Sequence, residues 1–470
     1  MSTSNTNAPL GAVILARHGD RQGFYQDPNG YTASDTAITP LGEVQNYQLG
    51  QMLRNLYAAD DSPTKISGLS NTTLVPSQIN STADGGGEGG VIFDSAVALW
   101  QGFYPPNLSI SIDTLANGSN ITSPLGGYQY LQINTVLPAD DVDLESWVNC
   151  PVWTNRTNSF YKSAEFLAVE AENKDFLNSL KPIVGNRSIA LSNMYNLFDF
   201  LNVQSIHNAT FAAEVNATGT NALAKARDLA NYHEYGAFTD STLDGIGNIA
   251  GRTMLPRVIG SLQDFAADSE VKIAHYHFSY KPFLSLFNMT NVDAGDAFLY
   301  PDAMVDYASA VTFELRENMA GTGHDVRFGF RNGSYVAGAD FNFTYYPLFG
   351  SSSLDTDLDE FVSKLEPYLL PNTTTWCHAC NNTVNSGCDV VALADNYQAQ
   401  AEQLAAKSHF TPIGAGFIGF AVTLVVGLLV LAAMRALGLA SFGKRAKPSR
   451  DERYPLGQAK GPDSIASSRF

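Results

Sequence analysis

Two spacings of apolar residues alternate along this chain. Short unbroken apolar runs read as strands buried on both faces, and the first is Gly11–Ala16, centred on Val13, Ile14 and Leu15. Val271–Phe278 reads as another strand running into a turn. Ala310–Leu315 and Val326–Arg331 alternate on either side of the glycine-containing loop Met319–Asp325, as in a hairpin. Elsewhere the spacing is helical. Leu41, Val44, Gln48, Met52 and Leu56 recur on one face, with Leu49 and Leu53 beside them. They predict an amphipathic helix of about four turns, with Thr39 as N-cap and Pro40 at the first helical position. Helical spacing returns over Phe93–Phe103, Phe160–Glu172, Asp175–Leu180, Met194–Val203, Leu223–Tyr235, Met254–Ala266 and Asp389–Lys407.

The first apolar run ends abruptly in Arg17-His18-Gly19-Asp20-Arg21. Two guanidiniums offer planar forks of donors to phosphate oxygens, and the imidazole between them offers a nucleophilic nitrogen. In an open α/β sheet such chemistry belongs just past the carboxyl end of a strand. The RHGxR pattern resembles the signature of the histidine acid phosphatases, a branch of the phosphoglycerate mutase-like superfamily. TPLGEVQNYQLGQMLRNLY, from Thr39 to Tyr57, closely resembles the first long helix of fungal acid phosphatases. Ser95-Ala96 and Gly102-Phe103-Tyr104-Pro105-Pro106 resemble the helix that family reads as SAxAFxxGxYPP.

The resemblance covers most of residues 10–350. It implies an α/β fold: a phosphoglycerate mutase-like sheet flanked by helices, with a helical cap over roughly 140–250. It also implies His18 as nucleophile, Arg17 and Arg21 as phosphate ligands, and no metal or organic cofactor. The family's second signature, a His-Asp after a strand, falls on Val271–Phe278. His275 is preferred for its histidine, because Leu286 then falls on a family leucine eleven residues on. The next residue is Tyr276, so the proton-donating aspartate is missing, as is a third arginine near Asn80. A protonated His275 or His277 is the expected substitute donor. His324-Asp325 spells the dipeptide, but in a hairpin loop with no helix after it. His207 and His233 are expected to be surface or structural.

Charge and composition bound the rest. The formal net charge is −18, yet Arg435–Phe470 holds eight Lys/Arg against three Asp/Glu. With +5 in that tail, the preceding residues carry −23, the difference between −18 and +5. So acidic a body excludes non-specific nucleic-acid binding and leaves any phosphate site dependent on local cations. Four cysteines, Cys150, Cys377, Cys380 and Cys388, allow two disulfides in three connectivities, with a zinc site including His378 as the competing reading. Fourteen Asn-x-Ser/Thr sequons point to a glycosylated lumenal or extracellular surface.

Pro412–Met434 runs 23 residues without a charge, long enough to span a bilayer, and Arg435, Lys444, Arg445, Lys447, Arg450 and Arg453 follow it. The expected organisation is therefore an extracellular or lumenal domain over 1–409, a transmembrane helix over 412–434 and a basic cytoplasmic tail over 435–470. Met1–Pro9 shows no apolar signal segment, which does not fit that orientation. Two function classes follow: a membrane-anchored acid phosphatase acting on small phosphate monoesters with an altered proton donor, and a glycosylated pseudoenzyme that keeps the fold.

Overall fold

The computed structural model describes residues 8–22, 36–85, 90–137, 140–218, 221–292, 303–333, 343–407 and 419–430. Its centre is a mixed sheet. The strands are β1 (Gly11–Arg17), β2 (Ile79–Ala83), β3 (Ile133–Asn134), β4 (Ile273–Phe278), β5 (Ala310–Glu317), β6 (His324–Arg331), β7 (Thr344–Tyr346) and β8 (Asp355–Asp357). They lie in the order β8-β6-β5-β1-β4-β2-β3, with β7 also paired to β6. From β1 through β4 and β2 to β3 the pairing is parallel, and from β1 through β5 and β6 to β8 it is antiparallel.

Position in the sheet explains the unbroken apolar run at the N-terminus. Every residue of β1 is buried, because β1 is central and both its faces are covered. Ala12, Ile14 and Ala16 face a cluster with Leu49, Leu53, Leu99 and Phe103. These belong to α1 (Pro40–Tyr57) and α2 (Val91–Phe103). Val13 and Leu15 face the larger cluster on the other side, with Leu255, Val258 and Leu262 of the helix Ile249–Ala266. The first helix begins as expected: the Thr39 side chain accepts from the Gly42 N–H, and Pro40 fills the first turn. Helices α1 and α2 approach so closely that a Cβ on Gly102 would lie 1.9 Å from the Tyr47 carbonyl oxygen.

Between 151 and 238 the described residues are mostly helical. The segments that matter for the site are α3 (Met194–His207) and α4 (Ala222–Phe238), which pack on each other. After β4 comes α5 (Lys281–Thr290). The cysteines form two disulfides, Cys150–Cys380 and Cys377–Cys388, leaving none free. That removes the zinc reading. Thirteen of the fourteen sequon asparagines lie in the described residues, none of them buried.

Two compact units divide near residue 393. In the second, residues 419–430 are helical and their apolar side chains, such as Phe420 and Leu429, are exposed. The rest of the expected span, 412–418 and 431–434, lies outside the described residues, as does the whole basic tail. Among the described residues no helix is long and apolar enough to cross a membrane.

Candidate active site

The carboxyl end of β1 delivers Arg17 and His18 into a tightly held turn. Backbone bonds fix it on both sides: the His18 N–H donates to the Phe278 carbonyl at 3.2 Å, and the His18 carbonyl accepts from Ala308 N–H at 3.1 Å. Gly19 N–H donates to Ser95 Oγ at 3.0 Å and Asp20 N–H to Gln45 Oε1 at 2.8 Å. The glycine is a steric requirement, since a Cβ on Gly19 would lie 2.4 Å from the Gly42 carbonyl oxygen. The start of α1 is thus docked directly on the motif, and this explains why the two sequence signals occur together.

His18 is 1 % exposed. Its Nδ1 lies 2.8 Å from the Gly19 carbonyl oxygen, a contact that requires the proton on Nδ1 and leaves the lone pair on Nε2. Burial, then the charges of Arg17 and Arg21, hold its proton affinity well below the ordinary histidine value. Both effects favour the neutral ring.

Arg17 donates to the Val305 carbonyl and lies between the rings of Tyr280 and Tyr307, 5.1 and 4.5 Å from their centroids. Its Nε finds no hydrogen-bond partner among the described residues. Arg21 is held by Asp199 of α3, through 2.8 and 3.2 Å hydrogen bonds. Both arginines line a cleft of about 280 Å³, together with Tyr195, Phe198, Asp199, Arg227, Tyr280 and Asp306 among others. His18 is not among the lining residues; its ring lies 5.6 Å from that of Tyr307, which is.

His275 is not brought to this cleft. It points from the middle of β4 toward α2, where its Nδ1 accepts from Trp100 Nε1 at 3.2 Å and lies 2.9 Å from Ser81 Oγ. Its Nε2 lies 3.2 Å from His277 Nδ1. Burial lowers the His275 pKa to about 3 and that of His277 well below the ordinary value, so neither is a protonated donor in mild acid. Tyr276 points to the opposite face, its hydroxyl 3.0 Å from Ser261 Oγ.

The sheet register gives the physical reason. Arg17 pairs with Phe278 across the parallel β1–β4 ladder, so the residues level with His18 and just beyond it are Ser279, Tyr280 and Lys281, at the start of α5. At that level the chain holds a tyrosine and a lysine where a carboxylate was sought: Tyr280 lines the cleft, and the buried Lys281 lies over the Trp147 ring at 4.9 Å. Tyr280 Oη donates to Glu234 Oε2 at 2.7 Å, and the Lys281 charge is among those that depress His18. On β2, Ala83 pairs with His277, which leaves Asp84 near the level where a third arginine was sought, and Asn80 is exposed inside the strand.

The cap residues were not legible as site residues. Asp20, fully buried, accepts from Thr39 Oγ1 and contacts His207 Nε2 at 2.7 Å, so His207 is a tie between cap and motif. His233 is structural as expected, buried against Glu234 and the Ser192 carbonyl. His324 opens β6 opposite Glu317 and does not line the cleft. Among the described residues no cluster of His, Cys, Asp or Glu has the arrangement of a metal site.

The chain that carries this strand-end Arg-His pair is similar in sequence to an acid phosphatase and in fold to phytases. No family model matches the chain. Its sequence is 24% identical over 389 residues to lysosomal acid phosphatase of Xenopus laevis, covering 79% of this chain and 78% of that one. In fold it is similar to the Hafnia alvei phytase solved with tartrate, with a TM-score of 0.52, 12% identity, and 80% and 98% of the two chains covered. The Citrobacter braakii phytase gives a TM-score of 0.51 at 11% identity, covering 77% of this chain and 98% of that one.

Proposed function

We propose that this chain hydrolyses phosphate monoesters through a phosphohistidine on His18. Nε2 attacks phosphorus, the P–O bond to the leaving group breaks, and water then displaces the phosphoryl group as inorganic phosphate. Arg17 and Arg21 hold the non-bridging oxygens and offset the charge of the transition state, the main catalytic lever in phosphoryl transfer. The observation that carries this reading is the Nδ1 contact to the Gly19 carbonyl, which supports a neutral ring with its lone pair on Nε2.

No carboxylate stands at Ser279–Lys281 to protonate the leaving oxygen, and Asp199 and Asp306, the described carboxylates of the cleft, are ion-paired to arginines. Among the described cleft residues, no carboxylate outside an ion pair is left for that protonation. The same feature favours a second reading, a binding protein without turnover. Rapid acid quench with a labelled aryl phosphate separates them: covalent label on wild type and none on His18→Ala supports the hydrolase, and no label on either supports the second reading.

The proposed setting is a single-pass membrane protein, with the body extracellular or lumenal and the C-terminus cytoplasmic. The uncharged stretch Pro412–Met434, the basic residues after it and the unburied sequons support it. Resistance of the full chain to alkaline extraction from membranes, with a mass loss on deglycosylation, is the expected result. A soluble, unglycosylated product would remove this setting.

A further inference from the structure

We infer that the cleft selects esters bearing one phosphoryl group on an uncharged aromatic or aliphatic alcohol, and that Asp306, with Asp199, excludes multiply phosphorylated substrates. The inference deepens the phosphatase reading and rests on it. The charges lining the cleft carry it. Three cations line it among the described residues, Arg17, Arg21 and Arg227, against the carboxylates Asp199 and Asp306. The balance is one positive charge, and a single phosphoryl dianion more than cancels it.

Arg227 is the only one of the three outside the Arg17–Arg21 motif. Its NH2 contacts Asp306 Oδ1 at 2.7 Å and donates to the Met304 carbonyl at 3.1 Å. A second phosphate at Arg227 also meets the charge of its partner Asp306, and like charges brought together in a partly buried cleft repel. The remaining wall mixes the amides of Gln45, Asn202 and Asn332 with apolar and aromatic side chains, of which Phe198, Ile206, Tyr195 and Met304 suit a carbon-rich leaving group.

The test compares kcat/KM of the full chain on phenyl phosphate and on myo-inositol hexakisphosphate. A preference for phenyl phosphate of roughly a hundredfold is expected, with the ratio falling roughly tenfold in Asp306→Asn as activity on the hexakisphosphate rises. Equal or reversed preference in the wild type overturns the inference, as does an unchanged ratio in a folded Asp306→Asn. Calorimetric titration of the wild type with phenylphosphonate and with inositol hexakissulfate reads the same selectivity without chemistry. Tighter phosphonate binding supports the inference even where turnover is nil, in which case only the hydrolase reading fails. Tighter hexakissulfate binding overturns it.

Discussion

Asp199, on the cap helix, closes a two-bond fork on Arg21, the second arginine of the RHGDR motif, at 2.8 and 3.2 Å. The carboxylate is a bidentate oxyanion on a guanidinium that the proposed mechanism assigns to phosphate. Together with the His207–Asp20 contact at 2.7 Å, it fastens helix α3 to the motif at two points.

Phosphate must therefore compete with a resident anion. Asp199→Asn removes the charge and keeps the shape. Inorganic phosphate is expected to inhibit this variant more strongly than the wild type, with its inhibition constant falling about tenfold, the worth of one charge-assisted hydrogen bond. A rise in that constant would mean that Asp199 chiefly orients Arg21 and does not block it.

Leaving-group dependence reports on the missing acid. General acid catalysis is worth ~10²–10⁴, so an aryl phosphate should outpace an alkyl phosphate by at least about a hundredfold in turnover. Tyr276→Asp should not narrow that gap, because Tyr276 faces Ser261 on the other side of the sheet. A narrowed gap in this variant would restore Tyr276 to the site.

Acid should cost this fold stability through its buried histidines. Unfolded histidine takes a proton near pH 6.5, whereas burial holds His275 to about 3 and His18 and His277 well below the ordinary value. Between those limits the unfolded chain binds more protons, so stability is complete at neutral pH and declines as pH falls below about 6.5. For His275 alone the loss by pH 4 is roughly 3 kcal/mol. Thermal unfolding at pH 7 and pH 4 should show a smaller drop in His275→Gln than in the wild type. Equal drops would mean that His275 ionises freely in the native state.

Cys150–Cys380 joins residues 230 apart, tying the start of the helix Pro151–Phe160 to the end of the helix Thr373–Cys380. Replacing both by serine should destabilise the protein by up to about 5 kcal/mol on the loop-entropy account. Replacing the Cys377–Cys388 pair, which joins residues only 11 apart, should cost less. Chemical denaturation of the two double variants measures the order, and the reverse order would contradict it.

Sequence alone determined the elements whose patterns are local. The all-buried run Gly11–Ala16, the Thr39–Pro40 helix start and the β5–β6 hairpin are each written in consecutive residues, and each lies where its pattern put it. The Arg17–Arg21 motif was legible for the same reason, since its chemistry sits in five adjacent positions. The other half of the site was not. Which residue of Val271–Phe278 stands level with His18 depends on strand register, and a shift of one residue reverses every side chain. With Arg17 paired to Phe278, that level falls to Ser279–Lys281, and His275 is left in the sheet interior against Trp100. Asp199, His207, Arg227 and Asp306 lie far from the motif in the chain, and nothing local marks them. Only the packing of α3 and α4 and the approach of Met304–Tyr307 bring Asp199, Arg227 and Asp306 to the cleft and His207 to Asp20, because ion pairs between distant residues are decided by tertiary structure.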